Sequence, residues 1–197
     1  MTREEISRNT KCRLAESLKK AMAEKPFDKI TVTELITDAC VSRPTFYYHF
    51  NDLYELLEWM FQEELLTPLE DMDNFSDWDT EILQILRYIE ENRKICQCAY
   101  NSVGWDALQN LLRKRADGIM GHYVDSLLQD IPACPDHVQF ISEFYTTAVV
   151  GTVIRWMNTP RGRTPEDIVR LLHITAADAV TAALQRSAAS RVQTVRI

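Results

Sequence analysis

Apolar positions along this chain recur at intervals of three and four almost throughout, the periodicity of helices that bury one face. Ile6, Leu14, Leu18 and Met22 predict a first helix over residues 3–23, with all four turned inward. Lys25-Pro26 closes it, because the residue before a proline is pushed out of the helical region. Phe27 and Ile30 pack the connection. Val32, Leu35, Ile36 and Ala39 predict a second helix, which Thr31 caps and Glu34 completes as a capping box. Ser42 caps a third helix over 43–50, and Pro44 sits in its first turn, where a missing N–H is no loss. Asp52 caps a fourth through Leu53, Leu56, Leu57 and Met60 towards Leu66.

The pattern then pauses at Pro68 and an acidic stretch over 70–79, which predicts a solvated connector. It resumes over 79–100 with Ile82, Ile85, Leu86, Ile89 and Ile95. Ser102 can cap a long helix from Val103, with Trp105, Leu108, Leu111 and Leu112 inward, a kink expected near Gly118 and Gly121, and an end at Ile131-Pro132. Residues 137–158 are apolar on more than one face, and Pro160 stops them. Thr164 and Pro165 start a last helix through Ile168, Leu172, Val180 and Leu184. The expected fold is all-α: a three-helix head over 1–51, a helical bundle over 52–187 and a frayed tail over 188–197.

One segment of that pattern carries the functional information. Helices over 32–39 and 43–50 flank the break Cys40-Val41-Ser42, the length pattern of a helix-turn-helix, whose second helix enters a major groove. Phe46 and Phe50 lie four apart and face the core, which turns Arg43, Tyr47 and the flank of Thr45 outward. Arg43, Thr45, Tyr47, Tyr48 and His49 can donate to base edges or phosphate oxygens. Such a set points to duplex DNA.

The string Ala39-Cys40-Val41-Ser42-Arg43-Pro44-Thr45-Phe46-Tyr47-Tyr48-His49-Phe50 is similar to the recognition-helix signature of the TetR family of one-component transcriptional regulators. Further on, LLEWMF, ENRKICQCAYNSVG and FYTTAVVGTVIRWM resemble a narrower subgroup, the dihydroxyacetone-kinase regulators. The resemblance implies an all-helical homodimer on a palindromic operator, with a C-terminal regulatory and dimerisation bundle that responds to a small-molecule effector or a protein co-regulator. It also implies that the helices near 137–158 and 164–186 pair with their symmetry mates; the lesser alternative is an ordinary two-helix core within a monomer. Base-edge or major-groove contact is expected from Arg43, Pro44, Thr45 and Tyr47. Phosphate clamping is expected from Thr31, Thr33, Tyr48 and His49, with Lys29 beside them. Thr31 and Thr33 begin a helix, where free backbone N–H groups help hold an anion.

Two positions depart from the family's pattern. Cys40 stands in the turn where a glycine is usual, at a cost of roughly 1 kcal/mol if the backbone there is left-handed. Leu53 stands where a lysine usually meets phosphate, and the loss of one such contact lowers the salt dependence by about one ion. These two features favour the alternative reading, a regulator-like interaction module that has lost most of its DNA binding.

Charge changes this picture little. Residues 1–50 carry a net +2 and residues 51–197 a net −9, a mildly basic head on an acidic body. Five cysteines at irregular spacing suggest reduced thiols, and no apolar run reaches the roughly 18 residues of a membrane span, so a cytoplasmic location without membrane partners is expected. Cys96, Tyr100, Trp105, His122, Tyr123, Phe144 and Tyr145 could line an effector pocket, although aromatics at helical spacing usually serve as core. Cys96-x-Cys98 lacks the spacer of a zinc knuckle, and no nucleophile elbow or glycine-rich phosphate loop is present. Neither a metal, a cofactor nor a catalytic residue is expected.

Overall fold

A computed structural model describes residues 2–66, 78–102, 105–159 and 162–194, and every regular element among them is helical. The helices are α1 (Arg3–Glu24), α2 (Val32–Asp38), α3 (Arg43–His49), α4 (Leu53–Phe61), α5 (Trp78–Glu91), α6 (Arg93–Tyr100), α7 (Trp105–Leu128), α8 (Pro135–Asn158), α9 (Pro165–Leu172) and α10 (Asp178–Thr194). A π-helical turn, Gln62–Leu66, continues α4, and another, His173–Ala177, joins α9 to α10. Pro68, residues 70–77, Val103 and Pro160, and the side chains of Trp105, Leu108 and Leu111, lie outside the described residues. No described helix is long and apolar enough to cross a membrane.

The chain forms two compact units. The first comprises Met1–Asp71 and Glu91–Leu111, so α4 and α6 belong with the helix-turn-helix. Here α1 packs on α2, α4 and α6, and Leu14, Leu18 and Met22 are buried along it. Phe46, Phe50, Leu56, Leu57, Met60 and Phe61 complete this core. Ile6 is 53 % exposed rather than inward, because it lies in the first turns of α1, ahead of the buried run that starts at Leu14. The ends are tied locally: Thr2 and Glu5 form a capping box, and Asp52 Oδ1 accepts from the N–H groups of Tyr54 and Glu55. The Cys98 thiol donates to the carbonyl of Lys25 at the end of α1. Burial pushes the Cys96 thiol up to about 12, so it is a core group and no thiolate.

The second unit comprises Met72–Glu90 and Leu112–Ile197. Ile82, Ile85, Leu86 and Ile89 give α5 one buried face. Met120, Val124, Ala133, Val180 and Leu184 form a core cluster ringed by Tyr123, Ile141 and Tyr145. The buried Glu81 carboxylate accepts from Arg115 at 2.6 Å, which offsets the cost of removing that charge from water. Thr164 and Asp167 form the capping box of α9.

Three expected boundaries move. The helix over 79–100 breaks at Asn92, and α6 restarts at Arg93. The long α7 runs as one α-helix through Gly118 and Gly121, with no positive φ at any described glycine. The expected tail is helical through Thr194; Ser187 is buried, accepting from the N–H of Cys134 at 3.1 Å and bonded to His137 Nδ1 at 3.0 Å.

Candidate nucleic-acid interface

α2 begins at Thr31, whose hydroxyl accepts from the N–H of Glu34 at 3.3 Å. The reciprocal half of the expected capping box is replaced, because the Glu34 carboxylate reaches Lys25 at 2.5 Å. Thr33 is exposed on the first turn, and Lys29 is exposed in a short 3-10 turn, 3.6 Å from Asp28.

The turn between α2 and α3 is a Schellman motif. The N–H of Cys40 bonds to Thr37 O at 3.2 Å and the N–H of Val41 to Ile36 O at 2.9 Å, which satisfies two of the carbonyls left open at the end of α2. This geometry needs a left-handed residue after the cap, and Cys40 takes it with φ of 50°. A side chain there costs roughly 1 kcal/mol. The structure supplies a compensation: the Arg13 guanidinium, reaching over from α1, donates to the carbonyls of both Ala39 and Cys40. Those two carbonyls are left over by the motif. Nothing in the sequence marked Arg13, since it stands 26 positions from Ala39.

Ser42 opens α3, accepting from Thr45 N–H at 3.2 Å and sharing a 2.6 Å hydrogen bond with the Thr45 hydroxyl. Phe46 is fully buried, and Phe50 nearly so. That fixes the rotation of the helix. Arg43, Pro44, Tyr47 and Tyr48 are exposed, Thr45 and His49 half-buried. The Arg43 guanidinium lies 5.8 Å from the centre of the Tyr47 ring, a cation–π arrangement that presents both groups together. Tyr48 is 72 % exposed and meets His49 edge-on. Burial, and secondarily the charge of Lys11, lower the His49 pKa from the usual histidine value. Lys11 lies 5.7 and 5.5 Å from the Phe50 and Trp59 ring centres, a cation next to α3 that the sequence did not single out.

The nine expected DNA-contacting residues thus fall at the first turn of α2, along α3 and in the turn before α2. The start of α4 carries no cation: Leu53 is half-buried and Glu55 accepts from both Asn51 nitrogens.

The expected effector set is not gathered in this way. A cavity of about 50 Å³ lies in the second unit, and among the described side chains of that set Tyr123 alone lines it. Cys96 and Tyr100 belong to the first unit, His122 and Phe144 are exposed, and Tyr145 packs at the edge of the core cluster. Periodicity showed which residues share a helix face, whereas the cavity is made by four separate stretches of the chain.

Residues 76–178 match the family model described as the transcriptional regulator C-terminal region, of the TetR type. The chain is 31 % identical over 80 residues to the HTH-type dhaKLM operon transcriptional activator DhaS of Lactococcus lactis subsp. lactis (strain IL1403). That alignment takes in 41 % of this chain and 43 % of the relative, so the chain spans less than half the length of the curated protein it matches. Among solved structures, the dihydroxyacetone kinase operon activator DhaS superposes with a TM-score of 0.71 at 19 % identity, covering 91 % of this chain and 98 % of the other. A tetR-family transcriptional regulator from Streptomyces coelicolor gives 0.61 at 20 % identity, over 94 % and 90 % of the two chains.

Proposed function

This chain belongs to the TetR family of transcriptional regulators, and from that premise we propose that it binds a palindromic operator as a homodimer through α3, under the control of an effector or protein partner at its second unit. The observation that carries the reading is the rotation of α3. With Phe46 and Phe50 buried, Arg43, Pro44 and Tyr47 stand exposed on α3 for the major groove, with the half-buried Thr45 beside them. Thr31, Thr33, Tyr48, His49 and Lys29 flank that edge as phosphate contacts.

The homodimer is supported by α8. Phe140 and Phe144 stand one turn apart, 68 % and 58 % exposed, with their rings stacked at 6.4 Å. Ala148 and Gly151 continue that side of the helix, and a Cβ at Gly151 would meet nothing within 4 Å. Exposed aromatics beside small residues suit close approach of a second helix. One short reading helix touches few base pairs, and two-fold pairing doubles the sequence read. The curated relative is named an operon activator, which supports activation as the sign of regulation.

Leu53 favours the interaction-module reading, since it removes a phosphate contact from α4. Cys40 no longer does, because the Schellman turn forms around it. Selection from random duplex DNA by the purified protein, at two salt concentrations, tests the choice. Enrichment of a two-fold palindrome that weakens as salt rises supports the operator reading; no enrichment by a folded dimer favours the interaction module.

A further inference from the structure

We propose that the second unit contains a binding site for a small, mostly apolar molecule bearing a single hydrogen-bonding oxygen, with the Thr146 hydroxyl as its polar contact. The proposal deepens the reading above, in which this unit is the responding part of the regulator.

Thr146 lines the cavity of about 50 Å³ and is 1 % exposed. Its hydroxyl has no hydrogen-bond partner among the described residues. Its neighbours on α8 behave otherwise: Ser142 donates to Val138 O at 2.9 Å and Thr152 to Ala148 O at 2.8 Å, each back to the preceding turn. Thr146 has the same option, since a helical threonine divides between two rotamers and can bond to the turn before it. It does not use it. A buried hydroxyl without a partner is unfavourable, and such groups in native proteins call for an occupant or a function.

The surroundings define that occupant. Ile82, Ile85, Val149, Val153 and Met120 supply an apolar wall, and the Tyr123 hydroxyl is already engaged with Ala177 O at 3.1 Å. A polyol, a sugar or an anion would leave several polar groups unpaired against that wall. A water molecule needs only about 10–15 Å³ of such space, and a cavity of about 150 Å³ holds benzene, so roughly two to five non-hydrogen atoms fit here. The chemical class is a short aliphatic alcohol, ketone or aldehyde. Ala176 and Ala177 also line the cavity, and both belong to the π-helical turn His173–Ala177. Single π turns inside α-helices recur at functional sites, and this one places a bound molecule against an irregular, repackable segment.

The test uses the full chain with 1-butanol and its oxygen-free counterpart n-pentane, read by the methyl resonances of Ile82, Val149 and Val153. Saturable shifts with 1-butanol are expected. Thr146→Val, which keeps the shape and removes the hydroxyl, is expected to weaken 1-butanol about tenfold, the loss of one hydrogen bond, and to leave n-pentane unchanged. Its thermal midpoint is expected to equal or exceed that of the parent, which shows that the variant folds. Absence of saturable shifts, or equal 1-butanol affinity in parent and variant, would overturn the proposal. DNA takes no part in the experiment, so a failure of operator binding cannot be mistaken for a failure here.

Discussion

In the first compact unit, Ser17 is 3 % exposed and its hydroxyl donates to Leu35 O at 3.2 Å; in the second, Thr146 is 1 % exposed and its hydroxyl has no partner among the described residues. The contrast extends beyond these two groups. Around the helix-turn-helix, even the spare carbonyls of the Schellman turn are taken by Arg13. The second unit combines a cavity with exposed phenylalanines. A surface that must hold several side chains in register with base edges gains from a scaffold with every polar group satisfied, because each loose element is ordered at the expense of binding. A unit that must change on binding gains from groups whose partner arrives later.

The sharpest way to break this comparison is to remove the rigidity of the first unit. Phe46→Ala empties the space under α3 and should cost about 3–5 kcal/mol in denaturant unfolding. A cost under 1 kcal/mol would show a head that repacks freely. Next, Phe144→Asp places a carboxylate on the proposed pairing face of α8. Sedimentation should show a shift from dimer to monomer, with a loss of at least about 2 kcal/mol of association energy and a helical circular dichroism spectrum retained. A dimer that survives would move the interface elsewhere.

Smaller effects sharpen the contrast. Arg13→Ala should cost about 1.5–3 kcal/mol, as expected for hydrogen bonds to a charged donor. Cys40→Gly should change stability by no more than about 1 kcal/mol and should reduce the cost of Arg13→Ala when the two are combined, since glycine accepts the left-handed backbone unaided. Strict additivity in that cycle would mean that Arg13 does not support the turn. Last, Leu53→Lys should raise operator affinity modestly and steepen its salt dependence by about one ion, with the preferred sequence unchanged. An altered preference would place residue 53 among the base readers.

The parts of the molecule that could be read from the sequence are those governed by neighbours along the chain. Ser42 and Asp52 cap their helices, Pro44 sits in the first turn of α3, and Phe46 and Phe50 face inward, each signal acting over a few residues. The expected left-handed cost at Cys40 is met by a φ of 50°. Arg13, Lys11 and Thr146 were not legible, because each acquires its role from segments distant in sequence. Arg13 looks like any basic residue on an exposed helix until α1 is laid across the turn. Thr146 looks like an ordinary helical threonine until its neighbours are seen to be apolar. The effector residues expected from the sequence were grouped by chemistry, aromatic and sulfur side chains together, whereas the cavity in the second unit is defined by position and shares Tyr123 with them. Glu34 shows the same limit at short range, since an ion pair with Lys25 displaced the local capping bond.

The central claim is that the exposed edge of α3 reads the operator. The most direct measurement compares the parent chain with Arg43→Ala and Tyr47→Ala on the selected palindrome and on a scrambled duplex, by fluorescence anisotropy at fixed salt. Each substitution is predicted to cost about 1–3 kcal/mol of preference for the palindrome, roughly 5- to 150-fold, with dimerisation and thermal stability unchanged. Parent-like preference in both variants would contradict the account.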